Sequence, residues 1–332
     1  MYQRILELYS GIGGMHCAWK ESNVPGEIVL AVDINTVANE VYKHNFPGTK
    51  LLNRNIQSLT PEEINKLNVN TILMSPPCQP FTRNGKFMDD NDPRTNSFIH
   101  LIQIIDKLVN INFILMENVK GFECSSVRNM FVEKLKECKF QFQEFLLCPS
   151  SIGIPNSRQR YYCVASRGSE GQLIGIDEIM TNLPQTYPEP HCLGDIIETD
   201  VSADYLVPDK LLKRAKLFDI CYRGSRRSCC ITKAYSHYVE GTGSVFTETE
   251  PDIVDACYEM ANNFEIGSDE FVKSLKDLKL RFLTPNEVLS LMAFPKCYKF
   301  PQNITIKQCY RLLGNSVNVK VISELIKILF KS

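Results

Sequence analysis

The sequence predicts an α/β protein: a mostly parallel sheet flanked by helices, with a smaller loop-rich region set into its second half. Two observations predict the sheet, and a third marks the insert. Short apolar runs alternate with helical periodicity through the first 166 residues, the texture breaks after Ser166, and helical patterning returns from Phe282.

The apolar runs place strands at 5–9, 28–33, 71–75, 113–117, 142–148 and 161–165. Between two of them Phe98, Leu101, Ile102, Ile105, Leu108 and Val109 recur at helical spacing, with Asn96 or Ser97 positioned as the cap. Such alternation is the pattern of βαβ units, whose crossover helices cover both faces of a parallel sheet. After Ser166, Pro184, Pro188, Pro190, Gly194, Gly224, Gly241 and Gly243 break the chain into short irregular segments. Thr284-Pro285 then opens a helix through Met292, and a final apolar helix over 317–330 returns to the first sheet. The expected division is therefore 1–166, a small domain over 167–280, and 281–332 completing the first unit.

Composition narrows the class. With 332 residues, 44% hydrophobic and 23% charged, the chain buries a sizeable core as an ordinary globular protein. Nothing after Met1 has the apolar stretch of a signal peptide, and no run approaches the roughly 20 apolar residues of a membrane span, so a reducing, membrane-free compartment is expected. Thirteen scattered cysteines without a CxxC pair read as small core residues, with no metal site. The net charge of -1 offers a polyanion no general attraction. Lys210, Lys213, Arg214, Lys216, Arg223, Arg226, Arg227 and Lys233 nevertheless crowd 24 residues, either as a phosphate track or, equally on these residues alone, as a solvated charged face.

Four strand ends carry chemistry. The first strand runs into Tyr9-Ser10-Gly11-Ile12-Gly13-Gly14, and Asp33 closes the next. In doubly wound folds glycines there let backbone approach a nucleoside cofactor, and a carboxylate about 20 residues on takes the ribose hydroxyls. A tight turn without ligand, and a strand-end or capping role for Asp33, are the bland alternatives. His16 stands where a dinucleotide fingerprint has its third glycine, which favours S-adenosylmethionine over NAD. The strand at 71–75 ends in Ser75-Pro76-Pro77-Cys78, two prolines stiffening the approach to a cysteine at the functional edge. The strand at 113–117 ends in Glu117, a carboxyl whose burial demands a partner or a raised pKa. Arg158 and Arg160, two apart before the strand at 161–165, would face one side.

Together these segments resemble the cytosine-5 methyltransferases: ELYSGIGG at 7–14, SPPCQPF at 75–81, ENV at 117–119, the arginine pair 158 and 160, and GNSVNV at 314–319. More closely the chain is similar to the tRNA-aspartate cytosine-5 methyltransferases, once classed as the second type of DNA methyltransferase. RRSCCITK at 226–233 and YVEGTGS at 238–244 carry that likeness, with Ile231 standing where the family has Phe.

The resemblance implies a Rossmann-like class I methyltransferase fold with a small target-recognition domain, S-adenosylmethionine as methyl donor, S-adenosylhomocysteine as product and no metal. Cys78 becomes the nucleophile that adds to carbon 6, with Glu117 at ring nitrogen 3 and Arg158 and Arg160 holding the ring oxygen and nucleophile loop. Cofactor contacts fall to Tyr9, Ser10, Gly11, Ile12, Gly13, Gly14, Asp33, Ile34, Asn55, Ile56, Ser75, Pro76, Asn315, Ser316 and Val317. RNA contacts fall to Arg83, Arg94, Lys120, Arg226, Arg227, Cys230, Thr232 and Lys233. The expected substrate is cytosine 38 in the anticodon loop of aspartate tRNA, whose bases unstack at low cost. The expected protein is a monomer of the cytoplasm and nucleus, with weak DNA binding beside its tRNA binding. A DNA cytosine-5 methyltransferase is the nearest alternative. A Rossmann dehydrogenase is disfavoured by His16, and an inactive binding protein by the intact Cys78, Glu117, Arg158 and Arg160.

Overall fold

The structure, a computed structural model, describes residues 2–77, 96–168 and 178–330. Cys78, Arg83 and Arg94 lie outside the described residues. The chain runs β1 (Gln3–Leu8), α1 (Gly14–Ser22), β2 (Gly26–Asp33), α2 (Thr36–Asn45), β3 (Leu51–Asn53), α3 (Pro61–Lys66), β4 (Thr71–Met74), α4 (Asn96–Ile104), β5 (Phe113–Val119), α5 (Ser126–Glu137), β6 (Gln141–Leu147) and β7 (Arg160–Ser166). These strands form one seven-stranded sheet in the order β3-β2-β1-β4-β5-β7-β6. β1 pairs parallel with β2 and β4, and β4 with β5, whereas β7 runs antiparallel to β5 and β6.

The order reverses between β1 and β4, and in open α/β sheets the ligand crevice lies beyond the carboxyl ends at such a switch point. The glycine loop follows β1 at this switch point, and the described part of the chain after β4 ends at Pro77, next to Cys78 in sequence. Antiparallel pairing adds a second gathering: β7 starts where β5 ends, with Arg160 opposite Val119 and Tyr162 opposite Glu117.

Strand side chains alternate between two cores. Leu6, Ile72, Ile114 and Tyr161 face the helices α3 to α5, while Ile5, Leu73, Leu115 and Val164 face α1 and the C-terminal helices. The second half contains α6 (Asp209–Leu212), α7 (Pro251–Ala261), α8 (Asp269–Leu275), and a three-stranded sheet of β8 (Ile220–Cys221), β9 (Val245–Phe246) and β10 (Arg281–Phe282). It closes with α9 (Pro285–Leu291), α10 (Ile306–Gly314) and α11 (Val319–Leu329). One hydrophobic core continues from α1 and α11 through Leu193, Phe246, Phe271 and Leu283, so the insert packs without a break onto the sheet's flank. No helix among the described residues is long and apolar enough to cross a membrane.

Local chemistry explains the helix starts. Thr284 caps α9 in a reciprocal box with Glu287, Asn35 caps α2, and Asn318 caps α11. Two readings shift. The helix expected to run to Val109 ends at Ile104 and passes through a 3-10 turn, leaving Val109 exposed. Asn96 and Ser97 already lie within its first turn, and Ser97 Oγ instead accepts a 3.1 Å bond from Tyr9 Oη.

Candidate active site

At the first strand end Asp33 is held by backbone. Its Oδ2 accepts from Gly11 N at 2.8 Å and its Oδ1 from Asn35 N at 2.8 Å, which locks the glycine loop to the end of β2. Burial pushes the Asp33 carboxyl up, opposed by those N–H groups. Beside it Ile34 is 66% exposed, an apolar face next to a carboxylate, as adenosine needs. Ser10 Oγ is buried with no hydrogen-bond partner among the described residues, an orphan polar atom awaiting a ligand group. Asn55 is exposed and Ile56 buried in the core. Ser75 Oγ donates to Tyr9 O at 3.1 Å, joining the ends of β4 and β1.

Gly14 lets the C-terminal motif close over this loop. A Cβ there would sit 2.7 Å from Val317 Cγ2 and 3.1 Å from Ser316 Oγ. Val317 is buried against it, Ser316 half-buried and Asn315 exposed. The orphan hydroxyl, the carboxylate and the apolar platform fit an adenosyl and amino-acid ligand, and the Gly11, Gly13 and His16 N–H groups are already spent on Asp33, Ser10 and Glu7.

The second cluster forms where β5 and β7 meet. Glu117 is 8% exposed, and burial raises its carboxyl pKa against the lowering fields of Arg160 and then Arg158. Arg160 Nε lies 3.5 Å from Glu117 Oε1. Arg158, 3% exposed, is fastened by its guanidinium to three carbonyls: Ile231 O at 2.9 Å, Gly314 O at 3.1 Å and Ser316 O at 2.5 Å. Both arginines also reach Cys230 Sγ, at 3.3 Å from Arg158 Nη1 and 3.7 Å from Arg160 Nη2.

Backbone pairing brings residues 228–232 here. Ser157 N donates to Ser228 O at 2.8 Å, Asn156 Nδ2 donates to Ser228 Oγ at 3.1 Å, and Thr232 N donates to Thr242 O at 2.9 Å. Gly314 is the seat for Thr232 and Lys233, since a Cβ on it would fall 2.1 Å from Lys233 N and 2.2 Å from the Thr232 carbonyl carbon. The Arg158–Arg160 motif, residues 228–233 and the C-terminal GNSV motif thus meet in one place, a junction that the sequence reading did not anticipate. Cys230, expected as an RNA contact, sits partly buried between the arginines. Thr232 is half-buried; Lys120, Arg226, Arg227 and Lys233 are exposed.

One network escaped the sequence reading. Glu7 is wholly buried beneath the glycine loop, accepting from Tyr42 Oη at 2.7 Å and from His16 N at 3.2 Å. Burial lifts its pKa to about 8. His16 stacks on Phe46 with ring centroids 3.8 Å apart, its Nδ1 lies 2.8 Å from Tyr42 Oη, and burial lowers its pKa to about 3. The residue standing for a third glycine is therefore a neutral core ring.

A crevice whose one wall is shaped for an adenosyl group and whose other holds a carboxyl above its ordinary pKa between two guanidiniums defines the class: a Rossmann-like methyltransferase built for a pyrimidine ring. Residues 3–331 match the family of C-5 cytosine-specific DNA methylases, and the chain belongs to that family. It is 67% identical over 332 residues, covering all of both chains, to the tRNA (cytosine(38)-C(5))-methyltransferase of Spodoptera frugiperda. The Homo sapiens protein of the same description is 43% identical over 99% of each chain. Among solved structures, a triple mutant of Spodoptera frugiperda DNMT2 superposes with TM-score 0.94 at 66% identity, over 99% of this chain and 100% of that one. The S. pombe Dnmt2 methyltransferase gives 0.83 at 34% identity, over 99% and 98%.

Proposed function

We propose that this chain transfers a methyl group to carbon 5 of cytosine in tRNA, at position 38 of the aspartate tRNA anticodon loop. The observation that carries the chemistry is the buried Glu117, paired with Arg160 and within the field of Arg158. The tRNA substrate is supported by full-length relatives at 67% and 43% identity that share that description.

S-adenosylmethionine, the methyl donor of this family, supplies an electrophilic methyl carbon when bound. Asp33 would take its ribose hydroxyls, Ile34 would cover the adenine, and Ser10, with the loop from Tyr9 to Gly14 and residues 315–317, would hold the amino-acid end. Asn55, Ile56, Ser75 and Pro76 complete this set.

Carbon 5 of cytosine is too weak a nucleophile to take a methyl group unaided. The Cys78 thiolate forms a bond to carbon 6, and the displaced electron pair makes carbon 5 an enamine carbon. Glu117, whose burial favours the protonated carboxyl, gives or shares a proton at ring nitrogen 3, so no charge accumulates on the ring. Arg160 would hold the ring oxygen, Arg158 with its guanidinium spent on the Ile231, Gly314 and Ser316 carbonyls would hold the surrounding loops, and the field of both would favour the thiolate. After methyl transfer, the carbon 5 proton leaves to a base and the carbon–sulfur bond breaks, returning the thiolate. Lys120, Arg226, Arg227, Thr232 and Lys233, with Arg83 and Arg94, position the RNA backbone. The reading extends to a monomer of cytoplasm and nucleus, and to a recognition domain over 167–280 within a catalytic unit of 1–166 and 281–332.

Labelled methyl donor, incubated separately with total tRNA and duplex DNA, tests the assignment. Label is expected in tRNA at cytosine 38; label in DNA and none in tRNA would transfer the protein to the DNA branch. Cys78→Ala should abolish transfer while keeping cofactor binding, and an active variant would remove Cys78 from the mechanism.

A further inference from the structure

α7 turns an apolar side to solvent that its own core does not use. Val254, Tyr258 and Ala261 point inward, and Tyr258 Oη donates to Ala215 O at 3.2 Å, so the helix lies with its back on the basic segment. On the opposite side Ile253 is 55% exposed and Met260 61% exposed, with Ala256 exposed between them. The chain stays wound past the end of the helix, Phe264 N donating to Ala261 O at 3.1 Å, and Phe264 is exposed in its turn. Ile253, Ala256, Met260 and Phe264 stand at i, i+3, i+7 and i+11, which makes one apolar stripe about three turns long. Such spacing is that of a seam along which one helix packs on another.

The charge beside the stripe has one sign. Residues 248–272 hold eight acids and no Lys or Arg. Glu248 and Asp269 are drawn to Arg223 and Lys213. Asp252, Asp255 and Glu259, at i, i+3 and i+7 along the flank of the stripe, are exposed and, among the described residues, in no ion pair.

We infer that this face of α7 docks a basic amphipathic helix of a partner protein, whose apolar residues cover Ile253, Met260 and Phe264 and whose lysines or arginines meet Asp252, Asp255 and Glu259. Charge chooses among the occupants. The acids repel RNA and an anionic lipid surface alike. A second copy laid along the same stripe sets acid against acid, because α7 has no cation to offer. A cationic helix gains twice: apolar area leaves water at the centre of the contact, and opposite charges meet at its rim. The stripe also turns away from the basic segment, so the partner leaves that segment free for tRNA.

Fluorescence anisotropy on the full chain tests the face, with a labelled synthetic helix of about 18 residues that carries leucines at i, i+3, i+7 and i+11 and lysines beside them. The lysine helix should bind saturably and release as salt rises, and a counterpart with glutamates for lysines should bind at least about tenfold more weakly. Ile253→Gln combined with Met260→Gln, at exposed positions where glutamine suits a helix, should weaken the lysine helix at least about tenfold and leave the melting temperature and tRNA methylation as in the wild type. Lysines at all three flanking positions, Asp252→Lys, Asp255→Lys and Glu259→Lys, should reverse the preference in favour of the glutamate helix. Equal binding of the two helices, or wild-type affinity in the double glutamine variant, overturns the inference. Two further results would reassign the face: a loss of tRNA affinity in that variant gives it to RNA, and a dimer in sedimentation velocity that the variant dissolves gives it to a second copy.

Discussion

Glu7 shows how a single carboxyl couples the floor of the cofactor loop to pH. Its folded pKa of about 8 lies above the ordinary 4.5, so its contribution to stability is complete below the ordinary value and is lost as pH rises through 8. His16, lowered to about 3, acts in the opposite sense, its contribution being present above its ordinary 6.5 and lost toward pH 3. Between pH 6.5 and 8 the Glu7 effect stands alone of the two. Glu7→Gln should therefore gain on the wild type across that window by up to about 1.4 kcal/mol per pH unit, measured as the difference in urea midpoints; a constant difference would show Glu7 ionised throughout. At this scale legibility depended on neighbours in sequence. Glu117, Arg158 and Arg160 announce themselves because each stands within two residues of a strand end at the functional edge. Glu7 hides inside a glycine motif, and its partner Tyr42 is 35 residues away. Cys230 reads only as an RNA contact, and the isolated bridge between Ser157 and Cys229 is what sets it beside Arg158, 72 residues away in sequence.

The elements of the first half were legible because both signals, strand length and helical period, point the same way, and burial on two sheet faces enforces them. β3 was missed because three residues carry no periodicity. α7 was missed because Ile253 and Met260 are apolar on its outward side while Val254, Cys257, Tyr258 and Ala261 pack inward, which blurs the amphipathic stripe. β8, β9 and β10 are two residues each and exist only through tertiary pairing. The junction between α10 and residues 232–233 gives the sharpest test at this scale. Gly314→Ala places a methyl group 2.1 Å from Lys233 N, against backbone rather than a yielding side chain. The variant should lose about 1–3 kcal/mol or more of stability and most of its tRNA methylation; a melting temperature and rate like the wild type's would mean that residues 232–233 are not held there.

Across the whole molecule the basic segment proves less basic than its sequence. Arg223 is paired with Glu248 at 2.6 Å, Arg227 with Asp219 at 2.6 Å, Arg214 with Glu240 at 3.3 Å and Lys213 with Asp269 at 3.4 Å. Those acids lie outside the segment or within its one gap, so no linear reading could discount the charge. Arg226, by contrast, spends its guanidinium on the Pro190 carbonyl at 2.5 Å and keeps its charge for a ligand. Arg226→Ala should weaken tRNA binding and lower the salt slope by about one, while Arg223→Ala, already neutralised, should leave both within about twofold; equal effects in filter binding at several salt concentrations would refute the distinction.

The contact of Gly14 with Val317 also fixes when the protein can work. The first cofactor loop emerges from the ribosome early, but its lid and the carbonyls that fasten Arg158 are encoded 300 residues later. Residues 314–317 thus serve the glycine loop and Arg158 at once. A chain cut before Gly314 should fail to transfer methyl groups although the glycine loop, Glu117 and both arginines precede the cut, and activity in that truncation would refute the dependence.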